Sequence, residues 1–150
     1  MNKADRYALL LKQVRSLVEG ESDPVANLAN AASAIHEAFG FWWTGFYLVR
    51  DNQLVLGPFQ GPVACTRIPF GKGVCGTAWA RGGTVVVPDV EEFPGHIACS
   101  SASRSEIVVP LMRGDEVLGV LDIDSRELAT FDDEDAEGLT PIAALLVDLL

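Results

Sequence analysis

No stretch of this 150-residue chain offers the roughly 20 consecutive apolar residues that a membrane-spanning helix requires. The N-terminus "MNKADRYALLLKQVRSLVEG" lacks the uninterrupted apolar core and small-residue cleavage site of a signal peptide; it carries charges at helical spacing instead. Positive charge is scarce. Eleven Lys and Arg stand against 21 Asp and Glu, a net charge of -10 that repels polyanions and argues against nucleic acid and an anionic membrane as partners. Cysteine is scarce too, at three residues. These absences lead us to expect a cytoplasmic protein. In a reducing compartment a static disulfide has no place, so the thiols serve as packing, metal ligands or redox groups. Zinc favours a close C-x2-4-C pair, whereas Cys65, Cys75 and Cys99 stand at least ten residues apart, so no metal is expected even with His96 near Cys99.

The length suits one globular domain spanning residues 1–150. Leu9, Leu10, Gln13, Val14, Leu17 and Val18 give a first amphipathic helix that ends at Gly20. Asp23-Pro24 opens a second helix, with Asp as N-cap, a stripe of Val25, Leu28, Ala32, Ile35 and Phe39, and Gly40 as its stop. From Phe41 the period changes to two, and "FWWTGFYLVRDNQLVLGPF" reads as a hairpin turned at Asp51-Asn52. A short helix follows through Ala80, then a strand at Thr84 to Val87 and a loop-like stretch over 88–104. "SEIVVPLMRGDEVLGVLDIDS" is a second hairpin, joined at Arg113-Gly114-Asp115, and "TFDDEDAEGLTPIAALLVDLL" is a C-terminal helix with an acidic first turn. Terminal helices around hairpin-joined strands make an α+β domain: an antiparallel sheet with helices on one face and a pocket on the other.

Three groups of residues could carry chemistry. Strand alternation sets Phe41, Trp43, Gly45 and Tyr47 on one face, and Trp42, Thr44, Phe46 and Leu48 on the other. Trp43 and Tyr47 would stand about 7 Å apart over the bare Gly45, a slot with aromatic walls for a cationic or sulfur-containing group. The same pattern also fits two rings that fill the core. In "VLDIDS", Asp122 and Asp124 share one strand face while Leu121 and Ile123 take the other. Asp is depleted in strands and like charges on one face cost stability, so a use for the pair is expected over a plain surface face. Glu106, on the partner strand, lies near them to within one residue of register. Clustered carboxylates raise one another's pKa, which suits a general acid. Cys75 lies near a helix start, where backbone N–H groups favour a thiolate, or else it packs. Cys99 sits in a small, polar loop with Arg104 five residues on as a source of positive potential, the setting of a reactive thiol.

The order of elements, with "GKGVCGTAW" and "VPLMRGDEVLGVLDIDS", resembles a GAF domain over the whole chain. Within that class, the combination of "CTRIPFGKGVCGTAW", "PGHIACSSASRSEIVVP" and "GVLDIDS" is similar to the free methionine-(R)-sulfoxide reductases. The resemblance implies a catalytic Cys99 nucleophile, Cys65 as resolving thiol, and Cys75 as an auxiliary or alternative thiol. It implies that Glu106, Asp122 and Asp124 bind substrate and assist proton transfer, and that Trp43 and Tyr47 wall the pocket around methyl and sulfur. The substrate would be free methionine sulfoxide, with no bound cofactor and an NADPH-coupled, thioredoxin-like protein as external reductant. Oligomeric state stays open, a homodimer included. Two other readings of the same residues are a stand-alone GAF sensor of small ligands and a thiol-based peroxide sensor.

Overall fold

The computed structural model describes residues 1–96 and 102–150. Its elements run α1 (Lys3–Val18), α2 (Pro24–Phe39), β1 (Trp43–Arg50), β2 (Gln53–Gln60), β3 (Arg67–Pro69), α3 (Gly73–Arg81), β4 (Val85–Val87), a 3-10 turn at Val90–Glu92, β5 (Ser105–Arg113), β6 (Glu116–Ser125) and α4 (Asp133–Val147). The strands form one antiparallel sheet in the order β3-β2-β1-β6-β5-β4. The α+β class read from the sequence is the class observed.

Helices α1, α2 and α4 start where the sequence supplies a capping side chain, whereas α3, entered through Lys72, has none. Asn2 accepts the Asp5 N–H at α1, and Asp23 accepts the N–H groups of Val25 and Ala26 at α2, with Pro24 at the first helical position. Asp132 and Asp135 close a capping box at α4. The buried stripe of α1 is Tyr7, Leu10, Val14 and Val18, so Leu9 and Leu17 lie on its exposed side. Val25 is exposed as well, because the inward face of α2 is set by Leu28, Ala31, Ala32 and Ile35. The last hairpin turns on Gly114-Asp115 alone, Arg113 being paired with Glu116. The short β3, paired to β2, has only three residues and no readable alternation.

Both sheet faces are covered. Phe46, Ile107, Val109, Leu111, Leu121 and Ile123 pack with α1, α2 and α4 into the larger core. Trp43, Tyr47, Leu54, Val85, Val108 and Val120 face the other way and pack with Val74, Cys75 and Ala78 of α3. Phe41 precedes β1 and stacks on Phe39, 5.2 Å between centroids, so it joins the larger core and not the Trp43 face expected from alternation. A strand's period holds only within the strand.

One polar group ties the chain ends together. Asp135 is 1 % exposed. Its Oδ1 accepts the Tyr7 hydroxyl at 2.6 Å, and its Oδ2 accepts Lys3 Nζ at 2.7 Å and the Asp132 N–H at 2.9 Å. A buried carboxylate that fully paired holds α1 against α4 and the α4 cap together. Tyr7→Phe keeps the ring packing and removes one donor from Asp135, so urea unfolding should show a loss of about 1–3 kcal/mol with an unchanged m-value. An unchanged midpoint would show that the hydroxyl does not join the helices.

Candidate active site

The pocket lies under α3 on the second sheet face, and strand register builds its floor. Glu106 of β5 pairs with Asp124 of β6, and Val108 with Asp122, so alternation turns all three carboxyl groups to the α3 side. Leu121 and Ile123, between and beside the aspartates, are fully buried in the larger core and fix that orientation. Cys75 comes down from α3, and its thiol donates to Glu106 Oε2 at 3.9 Å. Ser103 Oγ donates to Asp124 Oδ1 at 3.0 Å. Asp122 Oδ1 is buried without a hydrogen-bond partner among the described residues.

Burial and mutual repulsion set the protonation of this cluster. Glu106 is raised well above its ordinary value by desolvation, then by the charges of Asp122 and Asp124. Asp124 is raised well above its ordinary value by desolvation and by Asp122. Asp122 is raised by desolvation, while hydrogen bonds from Glu106, Cys75 and Asp124 oppose the rise. Desolvation and the same three carboxylates push the Cys75 thiol upward. Of the two readings of Cys75, a thiolate at the start of α3 or a packed thiol, its burial fits the second. Loss of hydration and the three neighbouring acids outweigh the helix N-terminus, which contributes only partial charge. Cys75 is a buried free thiol, whereas Cys65 is disulfide-bonded.

Trp43 and Tyr47 form one wall. Their centroids lie 6.1 Å apart, close to the expected spacing, but the rings stack at 25° and leave no slot between them. A Cβ at Gly45 would come to 2.6 Å from the indole, and one at Gly61 to 2.7 Å, so both glycines admit Trp43 into the space above the strand. The ring then stacks on Phe59 at 5.3 Å. Trp43 Nε1 donates to the Pro62 carbonyl and the Tyr47 hydroxyl to the Cys65 carbonyl, both at 2.9 Å. These bonds pin the segment carrying Cys65 to the aromatic wall.

The rim includes residues that sequence reasoning passed over. Lys72, Ser103, Val63 and Ala64 line the pocket, and so does Trp42, which alternation had placed on the opposite face. The small polar run before β5 was read as the setting of a reactive thiol, with no signal for the specific bond from Ser103. His96, weighed before only as a zinc ligand, lines the pocket as well. Arg104 is exposed and outside the lining, so the cation at this rim is Lys72. Cys99 lies outside the described residues. Among the described residues, ligand atoms of Cys75, Glu106 and Asp122 lie within 4.8 Å of one another, close enough to share a cation, though the protons held there would have to leave first.

The GAF domain family matches residues 22–150. The free methionine-R-sulfoxide reductase of Escherichia coli is 49% identical over 151 residues, covering 100% of this chain and 92% of that protein. "GAF domain-containing protein A" of Dictyostelium discoideum is 56% identical over 97% of this chain and 92% of its own length. The structure of free methionine-R-sulfoxide reductase from Neisseria meningitidis in complex with its substrate superimposes with a TM-score of 0.97 at 58% identity, covering 99% of this chain and 90% of that one.

The raised carboxyl groups fix a sign for stability against pH. A group whose pKa is higher folded than unfolded contributes stability below its unfolded value and loses it as pH rises through the folded one. For Glu106 that loss begins near its ordinary 4.5 and continues upward. Glu106→Gln should therefore gain in denaturant midpoint relative to the parent at pH 8 and lose that gain at pH 4. An equal difference at both pH values would mean that Glu106 is ionised at no cost in the fold.

Proposed function

The chain belongs to the GAF domain family and, within it, to the free methionine-R-sulfoxide reductases, and from this premise we propose that it reduces free methionine (R)-sulfoxide to methionine with its own thiols. The observation that carries the reading is the cluster of three carboxyl groups, Glu106 and Asp122 buried and Asp124 half-buried, all with raised pKa, in a pocket walled by aromatic rings. Sulfoxide reduction needs a proton at oxygen as a nucleophile meets sulfur, and a carboxyl group still protonated near neutral pH supplies it. Glu106, raised by burial and then by two neighbouring acids, and accepting a hydrogen bond from the Cys75 thiol, suits the donor role.

The nucleophile in this reading is Cys99. The chain lines the pocket at His96, three residues before it, and again at Ser103, four residues after it, which supports this role. The Cys99 thiolate attacks the sulfoxide sulfur, and Glu106 protonates the oxygen. The hydroxyl then passes from the substrate sulfur to the Cys99 sulfur as the new S–S bond breaks, so methionine leaves with its sulfur reduced by two electrons and Cys99 is left as a sulfenic acid. The Cys65 thiolate then attacks the Cys99 sulfur, a disulfide forms, and the hydroxyl departs as water with one more proton. Cys65 is favoured for this step because it is disulfide-bonded, while Cys75 is buried, free and held as a thiol. A thioredoxin-like dithiol of the cytoplasm, supplied with electrons from NADPH, returns both thiols, with no bound cofactor.

Trp43 and Tyr47 offer the methyl and sulfur a polarisable surface. Asp122 and Asp124, when one of them ionises, hold the substrate ammonium by charge-assisted hydrogen bonds. A methionine sulfoxide residue within a chain has no such ammonium, which accounts for selection of the free amino acid.

An NADPH-coupled assay with thioredoxin and separate R and S epimers tests the reading. Cys99→Ser should give no turnover, Cys65→Ser one methionine per subunit and then arrest, and Glu106→Gln a kcat lower by about 10²–10⁴-fold. Turnover by Cys99→Ser would end the proposal. Tight binding of a cyclic nucleotide without sulfoxide turnover would move the protein to the sensor class.

A further inference from the structure

The carboxyl cluster must exchange protons with water in every cycle. On the reductase reading, on which this inference rests, one proton goes to the sulfoxide oxygen and a second to the hydroxyl that leaves Cys99. The Cys99 and Cys65 thiols release two, so the count balances, but the groups that give are not the groups that receive. Glu106 and Asp122 are only 5 % and 6 % exposed. A path from the rim to these acids is therefore required.

The lining offers few groups for it. The Tyr47 hydroxyl is committed to the Cys65 carbonyl, and burial with the nearby acids raises its pKa far from neutral. Cys75 is buried and raised in the same way. The exposed Lys72 ammonium has donors and no acceptor. Ser103 can relay but not store a proton. His96 differs from all of these. It is half-buried at the rim, and its imidazole carries one donor and one acceptor nitrogen, so a proton can enter on one side and leave on the other.

We infer that His96 is the proton relay of this site, carrying protons between solvent and the acids Asp122, Glu106 and Asp124. The titratable groups that share the pocket lining with it are Asp122 and Asp124 from β6, Glu106 from β5, Cys75 from α3, Tyr47 from β1 and Lys72 just before α3. Asp122 is the member that feels His96 electrostatically, and it is also the one with a bare oxygen, Oδ1, buried in the floor. Partial burial lowers the imidazole pKa and Asp122 opposes that, which keeps the ring neutral and able to accept a proton at working pH. His96 acts through the carboxyl groups and touches no reacting atom in this scheme.

Steady-state reduction of free methionine (R)-sulfoxide by the full chain with excess dithiothreitol tests the relay, in His96→Gln and His96→Asn side by side, both checked for cooperative unfolding. We expect kcat to fall by about tenfold or more with KM within about threefold. Added imidazole at constant ionic strength should restore kcat in saturable fashion, and substituted imidazoles should rank by their pKa. An unchanged kcat, or a loss that no imidazole restores, overturns the relay while an active parent protein leaves the reductase reading standing. A parent protein without turnover removes that reading and the relay with it.

Discussion

Three carboxyl groups and a thiol crowd one pocket floor, and loss of hydration there raises the pKa of every one of them. The rest of the structure follows from that constraint. Such a cluster is a standing cost to the fold, so the elements that present it must be held by other means. The D-I-D pattern does this within one strand: each aspartate in the floor is locked in place by an isoleucine or leucine driven into the opposite core. Burying those two side chains fully is worth roughly 1.5–3 kcal/mol each, which sets the stabilising and destabilising residues side by side on β6.

The sheet is therefore a partition between two jobs. On one face α1, α2 and α4 build an apolar core, closed at the chain ends by the fully paired Asp135. On the other, α3 covers acids that are only partly satisfied, down to the bare oxygen of Asp122. The contrast between Asp135 and Asp122 is instructive. Both are buried aspartates, but one has three donors and serves stability, while the other lacks a donor on one oxygen and is open to a ligand that brings one.

Much of this was legible because strand alternation is a rigid rule: the DID face, the partner position of Glu106 and the separation of Phe46 from Trp43 all follow from a period of two. The cap at Asp23 was legible for the same kind of reason, since a short side chain ahead of a helix has one well-defined use, whereas at α4 only the acidic first turn was read and not the cap at Asp132. What escaped depends on packing across sequence distance. The slot over Gly45 vanished because Gly61, on another segment, lets the indole fold over it. The choice between thiolate and packed thiol at Cys75 stayed open because the local helix start was visible in sequence and the acids from β5 and β6 above which it settles were not weighed against it. Ser103 and His96 gave no periodic signal, and only the closed pocket brings them to the rim.

The same constraint links proton donation to substrate choice. An incoming ammonium group is the ligand a half-ionised acid cluster lacks: it supplies three donors and a positive charge, and so favours loss of a proton from the acids that hold it. The protons that remain are then confined to the members farther from the charge, where a sulfoxide oxygen can draw on them. Binding and acid catalysis need opposite charge states, and a single carboxyl group cannot hold both at once. Three coupled groups divide the two states among themselves, because the repulsion that raises one pKa is the repulsion that another has escaped. In the proposed reductase Glu106, Asp122 and Asp124 would thus act as one unit, and the cost of placing them together would be what makes the site answer to a free amino acid.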